Sequence, residues 1–174
     1  ESLLLGFLQV FQVTDTVTPS HDGPVHVQLA CSRDGRTWQR VANRQAIVER
    51  GAPGTWDAGG VYSGNGLVRD GDRVQLYYTG DCATHGGTDN ACAIGQVWWP
   101  RDRFVGLAAG RGGGTVELRP QLAQGWLHLN ADAGRGQIAV ELAGTEHRFW
   151  VRGDALDHPL QIPAGCQGRP ISLR

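Results

Sequence analysis

Apolar runs in this chain are short, and glycine, proline or a polar turn bounds each of them before a helical pattern can repeat. They are Leu3 to Val13, Val25 to Cys31, Gly60 to Val68, Arg73 to Thr79, Ala93 to Trp99, Trp126 to Asn130 and Gln137 to Leu142. Such lengths suit strands, whose side chains alternate between two faces, and are too brief for packed helices. With 26 Gly and 8 Pro in 174 residues, the expected fold class is all-β. Asp70-Gly71 joins two runs so tightly that it predicts a two-residue hairpin with both central residues at positive φ, and Asp34-Gly35 predicts a second turn. From Pro120 onward the pattern becomes hairpin-like, with Asn130 to Gly136 expected as a turn between two alternating arms.

An internal repeat sharpens the reading. An offset of 68 residues superposes Gln28 on Gln96, Arg33 on Arg101 and Asp34 on Asp102. The order of elements agrees: strand, polar loop, strand, Arg-Asp turn, strand. A meander repeated at this length predicts propeller blades, each a small twisted sheet that buries its faces against its neighbours. The expected organisation is a partial β-propeller over 1–119, with blades 1–50 and 51–119, and a β-sandwich-like domain over 120–174. The strand Gly60 to Val68 has no counterpart in the first copy, so the innermost strand of that blade is expected before Glu1. Two blades cannot close a ring of at least about four, and the isolated pair is expected to leave strand edges open.

Charge and composition exclude several classes. The net charge is −1, all sixteen basic residues are arginine, and none forms a basic run, which argues against nucleic acid as a partner. Gly6 and Gln9 interrupt the opening run, and no positive leader precedes it, so Leu3 to Val13 is expected as a buried strand and not as a signal peptide or membrane span. The absence of Met implies that Glu1 is not a translation start and that the chain is a fragment or a processed product. Cys82 and Cys92 flank one loop and could bridge it, while Cys31 and Cys166 read as small core residues. Cys82, His85 and Cys92 match no common zinc spacing and lack a fourth ligand, no glycine-rich phosphate loop occurs, and no metal or other cofactor is expected.

Three segments carry a family resemblance. GTWDAGGVYSGNGLVRDGDRVQLYYTG resembles the blade of glycoside hydrolase family 32 and its relatives that bears an Asp-x-Gly-x-x-Tyr pattern, here Asp57, Gly59 and Tyr62. WWPRDRFVGLAAGRGGGTVELRP is similar to the segment by which those enzymes leave the propeller for their C-terminal sandwich. SRDGRTW, Ser32 to Trp38, looks like a hairpin common in five-bladed glycosidase propellers, one residue shorter than the sialidase Asp-box. The resemblance implies a five-bladed propeller followed by a sandwich. It does not extend to the catalytic motifs: Arg33-Asp34 and Arg101-Asp102 lack a following Pro, and none of Glu1, Glu49, Glu117, Glu141 or Glu146 precedes a Cys. Catalytic residues are therefore expected upstream, on N-terminal blades absent from this sequence.

Glycoside cleavage needs two carboxyl groups roughly 5 to 10 Å apart, and Asp57 is the one good candidate here. It stands where an innermost strand begins, antiparallel pairing brings Tyr77 to Gly80 beside it, and the loop 81–92 follows on the same face. The repeat register carries His21 and Asp22 to that face from the neighbouring blade. Asp22, Asp57, Tyr62, Tyr78 and His85 would together suit a sugar, with carboxylates accepting from hydroxyls and rings covering apolar sugar faces. Structural readings stand beside this one: Asp57 as the group that fixes a turn before its strand, and His85 as an ordinary loop histidine. Asp34 and Trp38 read as structural, the carboxylate satisfying turn amides and the ring packing between sheets. Trp98, Trp99, Trp126 and Trp150 read as packing, with one of Trp98 and Trp99 facing inward.

The expected function is a part in a furanosidase-like glycoside hydrolase, where this chain supplies substrate-pocket wall to an oligo- or polysaccharide and not the catalytic pair. The alternatives are a noncatalytic carbohydrate-binding or interaction module, and a truncated product with no activity.

Overall fold

The computed structural model describes residues 3–17, 20–122, 124–168 and 170–171. The fold is all-β, with no α-helix among the described residues. It divides into two compact units, 1–105 and 106–174. Residues 106–119, expected with the second blade, thus fall in the second unit.

The first unit holds β1 (Leu4–Phe11), β2 (Asp15–Val17), β3 (Ser20–Asp22), β4 (Val25–Ser32), β5 (Gln39–Arg40), β6 (Ala46–Val48), β7 (Gly60–Ser63), β8 (Val68–Asp70), β9 (Arg73–Asp81) and β10 (Cys92–Pro100). Its main sheet runs β1-β4-β7-β9-β10, with β5 and β6 also on β4, and β8 on β9. Two long antiparallel hairpins dominate it: β1 with β4, where Leu4 faces Ser32, and β9 with β10, where Arg73 faces Pro100. A single parallel contact, Val25 to Gly60, joins them. A shift of 68 carries Ser32 onto Pro100 and Leu4 onto Asp72, so the two hairpins share a register to within one residue.

Alternation explains the packing. One side of each hairpin feeds a shared core of Val27, Val48, Val61 and Leu76, against which Phe7, Ile47, Leu67, Tyr78, Val97 and Trp99 pack. Each fully buried Val or Leu side chain contributes about 1.5–3 kcal/mol. Trp99 faces inward, with ring centroids 6.3 Å from Phe7 and 5.2 Å from Phe104. Trp98, one residue earlier, points the other way and lies under the Arg73 guanidinium at 4.1 Å. Ser63 donates to the Phe7 carbonyl at 3.4 Å, and the Gln9 amide to the Ser63 carbonyl at 3.3 Å, so the end of β7 also leans on β1.

Three local expectations are corrected. β1 is not a buried strand: it lies at the sheet edge, and Leu4, Leu8 and Phe11 keep more than a third of their surface in solvent. The β8–β9 loop is Gly71-Asp72, because Asp70 is needed to pair with Arg73. Only Gly71 there has positive φ, 56°, since glycine alone takes that conformation without a Cβ clash. Trp38 does not pack between sheets; it lies over β1, where a Cβ on Gly6 would come 2.9 Å from the ring, and stays about half exposed. The turn before it forms as the residues suggest: Asp34 accepts from the Arg36 and Thr37 amides at 2.8 and 2.7 Å, which hold its carboxyl well below the usual range.

The second unit pairs β11 (Gln121–Leu122) with β14 (Pro170–Ile171), and β12 (Trp126–Glu141) with β13 (Arg148–Gln161). Asn130 to Gly136 is not a turn. Register shifts between Leu129 and Ala131, and between Ala133 and Ile138, show a bulged stretch of one long strand. The chain reverses later, where the Thr145 amide and hydroxyl both donate to the Leu142 carbonyl and Gly144 takes φ 80°. Ala133, Val140, Val151 and Leu160 line the hairpin's core, and Cys166 is buried with Leu142 and Ile162, on a 3-10 turn and not on a strand.

Candidate functional site

Four strand ends meet at one end of the first unit: the starts of β4, β7 and β10, and the end of β9. Every sequence-predicted site residue belongs to these ends or to the loops beside them. Four of the five form two clusters, Asp57 with Tyr78 and Asp22 with His85.

The first cluster is built on Asp57. Its carboxylate is buried and accepts the Tyr78 hydroxyl at 3.0 Å on Oδ2. Its Oδ1 lies 3.0 Å from the Thr55 hydroxyl, which is also 2.8 Å from the Ala52 carbonyl. Tyr78 in turn stacks on Trp56, with centroids 5.7 Å apart and planes at 18°. Glycines make this stack possible: a Cβ at Gly80 would lie 2.4 Å from the Trp56 ring, one at Gly95 2.4 Å from the Tyr78 ring, and one at Gly51 2.0 Å from Asp57 Oδ1. Burial, followed by the bond to Asp57, raises the Tyr78 pKa and keeps the phenol a donor. Trp56 retains 39% of its surface in solvent, so the stack has a buried polar base and a wet aromatic rim.

The second cluster joins the two hairpin loops. Asp22 Oδ1 accepts the Gly23 amide at 2.6 Å and the Gly86 amide at 3.0 Å, while the Gly23 carbonyl accepts the His85 amide at 3.0 Å. The Thr84 side chain and then the Gly86 amide lower the Asp22 pKa. Asp22 is therefore an ionised acceptor already engaged by its own chain. The His85 ring packs at 4.8 Å on Phe11 and is exposed.

Tyr62 joins neither cluster: it pairs with Thr79, one residue from Tyr78, and so lies on the opposite face of the sheet from the stack, near Asp81 and Cys92. Its ring folds back over Gly60, where a Cβ would sit 3.0 Å away, and its pKa is raised by burial and then by the charges of Asp81 and Cys92. Asp81 is a buried carboxylate that accepts the Ala83 amide at 3.0 Å and the Cys92 thiol at 3.1 Å. Sequence reasoning passed over Asp81, Trp56 and Thr84. Asp81 ends an apolar strand at the same edge as Asp57, and that position was the available signal.

The four cysteines are free thiols, with Cys82 and Cys92 exposed. No group of three or more metal-ligating side chains comes together among the described residues. Comparison of the chain with protein-family models, curated proteins and solved structures gives no match.

Proposed function

We propose that the first unit is a pair of propeller blades, that the second belongs to a following sandwich, and that the loop end of the first unit binds carbohydrate. Supporting the architecture, two hairpins whose registers agree to within one residue share one core and present their loops at one end. The observation that carries the binding reading is the Trp56–Tyr78 stack over Asp57. A partly exposed indole held flat by a second ring and a buried carboxylate gives a rigid apolar surface, which suits the C–H face of a pyranose or furanose. Asp57 serves here by fixing Tyr78. Asp22 and His85, on the neighbouring hairpin loops, would add polar contacts beside the stack, whereas Tyr62, paired with Thr79, faces the other side of the sheet and is left out of this reading.

In this reading the chain supplies pocket wall to a glycoside hydrolase of the furanosidase-like type, with the acid and nucleophile on other blades. The decisive experiment uses the complete protein and a panel of fructo-oligosaccharides and cello-oligosaccharides, read by calorimetry and by reducing-sugar release. Trp56→Ala should weaken binding several-fold to about tenfold, the worth of one aromatic contact, and Asp57→Asn should lower turnover. Unchanged affinity and turnover in both variants would remove this stack from the site.

A noncatalytic carbohydrate-binding module is the second reading, favoured by one observation. Asp22 and Asp57 are both satisfied by groups of their own chain, leaving neither as an obvious proton donor. Oligosaccharide binding without reducing-sugar release selects this reading.

A further inference from the structure

We infer that Cys82 and Cys92 are a dithiol that a low-molecular-weight disulfide oxidises to an intraloop bridge, clamping residues 83–91 against the Asp22 turn. Cys92 opens β10 directly opposite Asp81, the last residue of β9, so Cys82 is its diagonal neighbour across the ladder. Opposed Cα atoms lie about 4.5–5.5 Å apart and one step along a strand adds about 3.3 Å, which gives roughly 5.6–6.4 Å between the two cysteines. That falls within the disulfide range of roughly 4.4–6.8 Å. Strand alternation would turn the two side chains to opposite faces, but the chain leaves β9 at Asp81 and bends at Cys82, which frees Cys82 from that constraint.

Both thiols are exposed to a small oxidant, and both already help to shape the loop. Cys82 donates to the Asp89 carbonyl at 3.3 Å, and Cys92 to Asp81 Oδ2 at 3.1 Å. The bond to Asp81 raises the Cys92 pKa and keeps that thiol protonated, so the first attack falls to Cys82. Its thiolate attacks one sulfur of the external disulfide, forming a mixed disulfide and releasing one thiolate. Cys92 then loses its proton, attacks the Cys82 sulfur and expels the second thiolate. The protein gives up two electrons and two protons, and the external disulfide becomes two thiols. The clamped loop carries His85 and Gly86, whose amides bond to Gly23 and Asp22, so the redox state sets how firmly one lip of the candidate site is held. This chemistry does not depend on what the site binds.

The test is to incubate the full chain with glutathione disulfide and follow it by intact mass and peptide mapping. A loss of two hydrogens with a Cys82–Cys92 cross-linked peptide is expected, together with about tenfold or slower hydrogen exchange at the His85 and Gly86 amides. Cys92→Ser should stop at a stable glutathione adduct on Cys82, and Cys82→Ser should form its adduct on Cys92 more slowly, because Asp81 holds that thiol protonated. Separate adducts on both cysteines of the unsubstituted chain, a bridge to Cys31 or Cys166 instead, or unchanged exchange after bridging would overturn the inference.

Discussion

The two long hairpins of the first unit have nearly the same register, yet their loops are ordered by different means. After β1 the chain continues as a backbone ladder: Gln12 donates to Pro24 at 3.0 Å, Thr14 to Asp22 at 2.9 Å, and β2 then pairs with β3. After β9 the ladder ends, and side chains take over through Asp81, Cys82 and the contact with Asp22. A ladder of main-chain bonds is insensitive to protonation and to most substitutions. A loop held by carboxylates and thiols is conditional on pH, on redox state and on the neighbouring hairpin. Function that needs adjustable order has a place in the second loop and little in the first.

The strongest way to break the comparison is to attack what the hairpins share. Leu76→Ala removes a fully buried side chain from the common core and should cost about 2–5 kcal/mol in chemical denaturation. The first hairpin should melt in the same transition as the second. Two separate transitions would show that the hairpins do not depend on one core. Gly80→Ala forces a Cβ against Trp56 and Asp57 and should cost about 1–3 kcal/mol, with a loss of near-UV circular dichroism from the stack. Gly6→Ala meets only the half-exposed Trp38, which can swing into solvent, so it should cost well under the Gly80 change; equal costs would erase the asymmetry.

A pH titration sharpens the contrast between the loops. Asp22 has a folded-state pKa below the ordinary 3.8. Its contribution is complete above that value and is lost as pH falls through the lower folded value. The Gly86 amide resonance should therefore move only below pH 3.8, while the Gln12 amide in the backbone ladder stays in place. A Gly86 transition at or above the ordinary value would mean that Asp22 does not hold the second loop. The smallest effect is expected at the exposed outer turn. Asp34→Ala should free the Arg36 and Thr37 amides to solvent and lower Tm by less than Gly80→Ala does.

The sequence revealed the all-β class through short alternating runs, whereas the strand expected after the Arg101-Asp102 turn does not form, no strand lying among the described residues between Pro100 and Gln121. What it concealed has physical causes. Asn130 to Gly136 has the composition of a turn, but a bulge uses the same small and polar residues, and only pairing with β13 distinguishes the two. β13 itself was overlooked because Gly153, at φ 76°, and Pro159 interrupt its pattern. Asp57 and Tyr78 were legible from antiparallel pairing, which sets strand ends side by side. Their direct bond, the stack on Trp56 and the role of Asp81 depend on side-chain directions that alternation alone does not give.

The glycines packed against the stack and against the loop at Ala83 also bear on how any set of related sequences should be read. At Gly51, Gly59, Gly80 and Gly95 an added methyl group would fall 2.0 to 2.4 Å from a carboxylate, a backbone atom or an aromatic ring. Selection for folding alone would hold these four positions constant, whatever the loops beside them bind. Constancy there would record steric closure, so evolutionary evidence for ligand contact must come from the exposed positions, Trp56 and His85 first among them.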